Sequence, residues 1–296
     1  MKYFGTFIIA ISFASGVLWA QESVMTSFMD DPAIHGTALS GSAFTHNISA
    51  DISSMWTGVD GGLQFGSLHA QDRTYTGKFG YGILAAYTNF GLFTGKEASL
   101  AGNYKLPVSA GSIYVGINAG MQDLSVSFST ADPTQTGDPL LASDMHTQIM
   151  HAGLSCSWEN TQGYFSITVP DIWMHANDAA YPLPGTTTYI NGAYTIPITT
   201  RWDIMPALDY TVHADMPGQL ALQLRCTWDK KVFADAGYRT DTFYILGIGY
   251  APNNAFTFSY HYHITTGALG QVAGGSHALF LGYRFGDKKE KNTSSL

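Results

Sequence analysis

Residues 276 to 285 repeat with a period of two. Leu279, Leu281, Tyr283 and Phe285 fall on one side; Ala278, Phe280, Gly282 and Arg284 fall on the other. That period belongs to a β-strand, because successive side chains of a strand point to opposite faces. The first face is wholly apolar and ends on two aromatics, as on a strand that meets hydrocarbon and finishes in an interfacial girdle. The pattern recurs along the chain. Ile113, Val115, Ile117 and Ala119 oppose Ser112, Tyr114, Gly116 and Asn118; Leu220, Leu222, Leu224, Cys226 and Trp228 oppose Gln219, Ala221, Gln223, Arg225 and Thr227. Charges keep to one face of each segment, and no segment shows the three-and-four spacing of an amphipathic helix.

The chain is 45% hydrophobic but only 12% charged, about half the charged share of a soluble domain. After the first residues no apolar run approaches the roughly 20 residues of a membrane helix. Low charge without a helical span predicts membrane strands. The fold expected is all-β: a single transmembrane outer-membrane β-barrel of about 14 antiparallel strands. Strand starts are expected near Ala43, Leu63, Phe79, Ala98, Ser112, Thr147, Tyr164, Thr187, Arg201, Gln219, Val232, Phe243, Phe256 and Ser276. Pro206 interrupts one pattern and predicts a bulge there. With the N-terminus in the periplasm, the connections at one end are tight. The three longest, Asp123–His146, Pro170–Thr186 and Ile264–Gly275, share the other end. A soluble β-sandwich would show the same alternation without the low charge or the aromatic strand ends.

Lys2, an apolar stretch from Phe7 to Val17, and Ala20-Gln21 read as a signal peptide over residues 1–20. Residues 21–42 are then a periplasmic or lumenal segment, 43–285 the barrel, and 286–296 a charged periplasmic tail. Cys156 and Cys226 lie on apolar faces of strands that are not neighbours, so both are expected to remain free thiols pointing at lipid. The net charge of −8 with no basic block gives nucleic-acid binding no electrostatic support.

Candidate chemistry is sparse. His261, His263 and His277 lie on strands expected to pair, a pattern that can ligate a metal, but no carboxylate or thiol completes the set. Gly80 and Gly82 fall within an alternating strand with no helix after them. They read as relief of crowding on the inner face rather than a dinucleotide loop. Neither Gly-x-Ser-x-Gly nor His-Glu-x-x-His occurs. No catalytic, cofactor-binding or metal-binding residue is assigned, and the chain is not expected to be an enzyme. A diffusion channel for small solutes is the rival reading; the inner face, rich in Gly, Ala and Ser, argues against a strongly ion-selective pore.

Four short motifs occur in order: Asp31-Pro32-Ala33-Ile34-His35-Gly36, Met55-Trp56-Thr57-Gly58, Gly275-Ser276-His277, and Tyr283-Arg284-Phe285. In order and spacing the chain resembles the PorP/SprF family of Bacteroidetes outer-membrane proteins, whose corresponding motifs are Asn-Pro-Ala-Tyr-Ala-Gly, Gln-Trp-x-Gly, Gly-Ser-His-Glu and Tyr-x-Phe. Asp31 stands for the Asn, Ile34 for the Tyr, Met55 for the Gln, Ala278 for the Glu, and Ser53 for an Arg that usually precedes the Trp. The resemblance implies an accessory or anchoring role in type IX protein secretion, and in gliding motility where that occurs. It further implies partners: outer-membrane lipid, a large adhesin-like surface protein with a C-terminal sorting domain, and periplasmic ring components of the machinery. Trp56 and Trp173, expected in outer loops, are then candidate partner contacts, since Trp is enriched at interface hot spots. Lys288-Lys289-Glu290-Lys291 reads as solvated charge or as a contact for the ring.

Overall fold

A computed structural model describes residues 28–42, 46–128, 144–178, 183–214, 217–240, 243–253, 255–266, 269–271 and 273–286. The expected signal peptide, and the tail from residue 287 onward, lie outside the described residues.

The strands are β1 (His46–Ser54), β2 (Gln64–Arg73), β3 (Phe79–Phe90), β4 (Phe93–Val108), β5 (Gly111–Val126), β6 (Met145–Glu159) and β7 (Gly163–Ala176). They continue with β8 (Thr187–Tyr194), β9 (Ile196–Pro197), β10 (Trp202–His213), β11 (Gln219–Trp228), β12 (Val232–Arg239), β13 (Phe243–Tyr250), β14 (Phe256–Thr265) and β15 (Ser276–Phe285). Apart from β8 and β9, which do not pair with each other, strands adjacent in the chain pair antiparallel. β1 pairs β15 along its whole length, from His46 opposite Phe285 to Ser54 opposite His277. That pairing closes the sheet into a barrel. β8 and β9 form one stave against β10, so the barrel has 14 strands. Closure is what lets a sheet cross hydrocarbon, because no edge N–H or C=O is left to face lipid.

Pro206 lies in β10 without a bulge: the register runs unbroken from Trp202 opposite Trp228 to Thr211 opposite Gln219. The missing N–H is accommodated on the other side, where the neighbouring stave splits into β8 and β9 at Thr195. Thr195 turns its own N–H to the carbonyl of Gln162, at 2.6 Å. The true bulge falls elsewhere. Between β6 and β7 the register shifts between Ala152 and Leu154, opposite Trp173 and Val169. Gly153 sits at the shift, where a Cβ would meet the carbonyl oxygen of Val169 and the carbonyl carbon of Pro170.

Alternation assigns the faces. Leu279, Leu281, Tyr283 and Phe285 point outward, while Ala278 and Phe280 are buried in the lumen. Cys156 and Cys226 lie outward on β6 and β11 and are free. Phe79, Tyr104, Trp202, Trp228, Phe256 and Tyr283 are exposed around one end, as an interfacial aromatic girdle requires. That end carries the tight turns 109–110, 160–162, 198–201 and 229–231; the connections 55–63, 127–144, 177–186 and 266–275 lie at the other. Long loops are shorter than the sequence suggests, because β5 continues to Val126 and β7 to Ala176. Trp173 therefore lies on a strand rather than in a loop. Two connections at the long-loop end, 91–92 and 240–242, are themselves tight.

An Arg at the exposed Leu281 should cost about 2–4 kcal/mol near mid-membrane. Urea titration in lipid vesicles checks this, with Leu281→Val as a near-neutral control. Alkylation after denaturation without reductant should label both Cys156 and Cys226.

Candidate functional site

The lumen is not empty. Residues 28–42 fold inside it, with Phe28, Met29, Asp30, Asp31, Ala33, Ile34, His35, Ala38, Leu39 and Ser40 all buried. The segment turns tightly on itself through Ile34 N–H to Asp31 O, Gly36 N–H to Pro32 O and a short 3-10 turn, Thr37–Leu39. Pro32 presets one bend. Asp31 makes another by accepting the Ala33 N–H on its own side chain at 3.2 Å.

Two adjacent carboxylates fix this plug to the wall. Asp30 accepts Arg225 Nη2 at 2.7 Å and Ser259 Oγ at 2.7 Å. Arg225 also forks onto Asp235, with Nε to Oδ1 at 2.7 Å and Nη2 to Oδ2 at 2.8 Å, and lies 3.9 Å over the Phe233 ring. His261 Nε2 is 3.1 Å from Asp235 Oδ2 and completes the cluster. Asp31 accepts Ser49 Oγ at 2.7 Å and Gln71 Nε2 at 2.7 Å, and pairs with His69 Nδ1 at 2.9 Å. Burial pushes the Asp31 carboxyl up, but the His69 ring and the hydrogen bonds from Ser49 and Gln71 outweigh it and hold it at about 2. Farther in, His35 Nδ1 pairs with Asp209 at 2.9 Å while its ring stacks on Tyr189 at 4.5 Å. On the way out, Asn103 Nδ2 donates to the Ser40 carbonyl at 2.7 Å, Gln71 accepts the Gly41 N–H, and Arg73 caps the Ser42 carbonyl.

Small residues make room for it. A Cβ on Gly82 would lie 2.9 Å from Ser40 Oγ, one on Gly116 would lie 3.0 Å from Ala38 Cα, and one on Gly80 would strike the Ser40 carbonyl. Two apolar clusters complete the fit. Phe28 and Met29 pack on Ala193, Ala207 and Ala221; Ala33, Ala38 and Leu39 pack on Tyr114.

The sequence motifs sort into three places. Asp31, Pro32, Ala33 and Gly36 lie in the plug. Trp56 and Gly58 lie at the long-loop end of the β1–β15 seam, where Trp56 and Thr57 meet Gly275 and Ser276. There Trp56 N–H donates to Ser276 Oγ at 3.1 Å, Thr57 N–H to Gly275 O at 2.9 Å, and Gly274 N–H to Thr57 O at 2.7 Å. Trp56, at the positive φ of 55°, turns inward over Met55, Leu63, Phe243 and Ile245, with its ring edge-on to Phe90. His277 points outward and bonds Tyr260 OH at 2.6 Å. Tyr283 and Phe285 stack on the outer face at the girdle. Trp173 is 54% exposed on the outer face of β7, beside His175, and does not approach Trp56. The three histidines do not converge: His263 faces inward against Phe243, and His277 lies on the opposite face of the sheet. Among the described residues no group of three or more His, Cys, Asp or Glu is placed to hold a metal.

Above the plug tip the lumen keeps a polar cavity of about 150 Å³, lined by His35, Glu97, Asn118, His151, Asp171 and Tyr189 among others. It shares Gln122, His151, Asp171 and Thr187 with a second space of about 240 Å³ that reaches Pro184, Gly185 and His213 at the long-loop end. These spaces lie on the long-loop side of the plug.

A family model described as type IX secretion system membrane protein PorP/SprF matches residues 18–283. The chain belongs to the PorP/SprF family. It is an outer-membrane barrel with a role tied to type IX secretion. No protein of curated function matches it. Among solved structures it is similar to the outer membrane protein Omp33 of Acinetobacter baumannii, at 9% identity and a TM-score of 0.48, covering 82% of this chain and 98% of that one. It is also similar to the toluene transporter TbuX of Ralstonia pickettii, at 10% identity and a TM-score of 0.48, covering 88% and 93%. A FadL homologue of Pseudomonas aeruginosa matches at 10% and 0.46, covering 81% and 90%.

The inward charges were the signal for the plug. Arg225, Asp235 and Asp209 sit on membrane strands, where a charge needs a partner; Asp30 pairs with Arg225 and His35 with Asp209. Replacing Arg225 with Met should cost about 3–5 kcal/mol, because Asp30 and Asp235 lose their shared cation while buried. Urea titration checks the loss, and limited proteolysis between residues 28 and 42 should become faster. Deleting 28–42 should raise single-channel conductance in planar bilayers above that of the full chain.

Proposed function

We propose that this PorP/SprF barrel serves as an accessory or anchoring component for one or a few large adhesin-like surface proteins carrying a C-terminal sorting domain. It acts by holding the client at the long-loop end or coupling it to the periplasmic ring, with a part in gliding where the organism glides. The observation that carries this reading is the plugged lumen of a secretion-family barrel. A segment bonded to the wall at Asp30, Asp31 and His35 occupies the lumen, which argues for the surfaces at the two ends as what the protein offers. The rim formed where Trp56 and Thr57 meet Gly275 and Ser276, and the exposed Trp173, are the contacts proposed for the client. The periplasmic tail after residue 286 is proposed to face the ring.

The test is a surface proteome of a deletion strain beside a complemented one. One or a few large surface proteins should be lost while other type IX cargo still reaches the surface. An unchanged surface proteome together with lost uptake of a small solute would favour a channel instead.

A further inference from the structure

At the short-turn end the outer face of the barrel carries a groove. Ile48, Ala50, Tyr250, Phe258, Leu281 and Tyr283 line a space of about 400 Å³ that runs across β13, β14, β15 and β1, over the closing seam. The register accounts for it. Tyr250 lies opposite Phe258, Phe258 opposite Leu281, and Leu281 opposite Ala50. Ala50 is a methyl group between the exposed Leu281 and Leu68, so the outer surface dips there. Cations sit at the margin of this groove. The Lys231 carbonyl accepts the Ala251 N–H at 2.6 Å, between the groove residues Tyr250 and Pro252. Lys230 precedes it, and the Arg201 carbonyl accepts the N–H of Asp229 in the same turn at 2.7 Å. Lys230, Lys231 and Arg201 are exposed, and none is in an ion pair among the described residues. Asp229 is the one carboxylate of turns 198–201 and 229–231, so positive charge exceeds negative there. The hairpin itself is unusual. Lys231 N–H bonds the Trp228 carbonyl at 3.0 Å, and the two residues between, Asp229 and Lys230, take φ of 51° and 54°. Such a turn favours Asn-Gly or Asp-Gly; here a Lys stands where Gly would be unstrained. Trp202 and Trp228, opposite one another beside this turn, are exposed on the outer face and mark the headgroup level.

We propose that the groove and these cations seat one anionic phospholipid of the periplasmic leaflet, with an acyl chain along the groove and the phosphate at Lys230 and Lys231. The outer face of the barrel meets hydrocarbon, so an apolar groove at this depth is filled by lipid rather than water. The cations then choose among lipids. A lysine holds a phosphate as a point charge, and each cation near the membrane surface adds to the attraction for an anionic headgroup. A zwitterionic headgroup brings its own cation and cancels that gain. Lipid at this seam goes beyond the client reading above and does not rest on it.

The experiment is native mass spectrometry of the purified full-length barrel, titrated in detergent with dioleoylphosphatidylglycerol and, in a companion arm, dioleoylphosphatidylcholine. One phosphatidylglycerol per barrel should be retained saturably and in preference to phosphatidylcholine. Lys230→Asn combined with Lys231→Gln should weaken that retention by about tenfold and leave phosphatidylcholine unchanged. Asn suits the left-handed position, so the hairpin is kept. Ala50→Phe fills the groove from its lipid side and should weaken retention of both lipids. Ala50→Leu is the second variant should Ala50→Phe not fold, as judged by the gel mobility of the unheated barrel. Lys96→Gln, at the long-loop end, should change neither. Equal retention of the two lipids, undiminished phosphatidylglycerol in either folded variant, an equal loss in Lys96→Gln, or a second copy of the barrel held at the groove in place of lipid would each overturn the proposal.

Discussion

The contact on which the interior depends is the one between Asp30 and Arg225. A guanidinium facing the lumen of a membrane barrel is costly unless its charge and its N–H groups are matched. Arg225 meets that demand with Asp235 from the adjacent strand and Asp30 from the plug, while Ser259 and His261 crowd the same carboxylates. Asp31, one residue on, repeats the arrangement against β1 and β2. Two neighbouring residues thus tie the plug to two adjacent arcs of the wall, β11 to β14 and β1 to β2. In a low-dielectric interior those bonds are strong when made and expensive when left open.

The two ends of the barrel follow from that anchoring. At the short-turn end the segment enters, meets Arg73, Gln71 and Asn103, and fills the space that wall glycines leave. At the long-loop end the 55–63 connection bends inward, and the apolar cluster of Met55, Leu63, Phe243 and Ile245 covers one side of the mouth.

The strands were legible because a membrane barrel asks one thing of each stave: apolar residues on every second position. That demand marks β15, β11 and β5 in the bare sequence, and the closing seam and the free thiols follow from it. Where the reading slipped, a local rule met a neighbour it could not see. Pro206 predicted a bulge, but the adjacent stave took the interruption instead. Backbone pairing continues where the alternation fails, so β5 runs on to Val126 and β7 to Ala176, and Trp173 lies on a strand. The histidine pattern ignored that His277 lies on the other face. The Asp31 motif was visible as a string, but its partners, His69 and Gln71, become neighbours only when the sheet curls around it. The bonds that Asn118 and His151 make to the Pro170 carbonyl had no trace in the sequence, since that carbonyl lies at a register shift.

Gly80, Gly82 and Gly116 give the wall its shape by what they omit. On the outer face, a strand tolerates any side chain that lipid accepts. On this strip of the inner face, even a methyl group would press on Ser40 or Ala38, a segment far away in the chain. The positions least open to change in such a barrel are therefore among its plainest residues. Variation that looks conservative by hydrophobicity would be felt there as a shift of the segment inside.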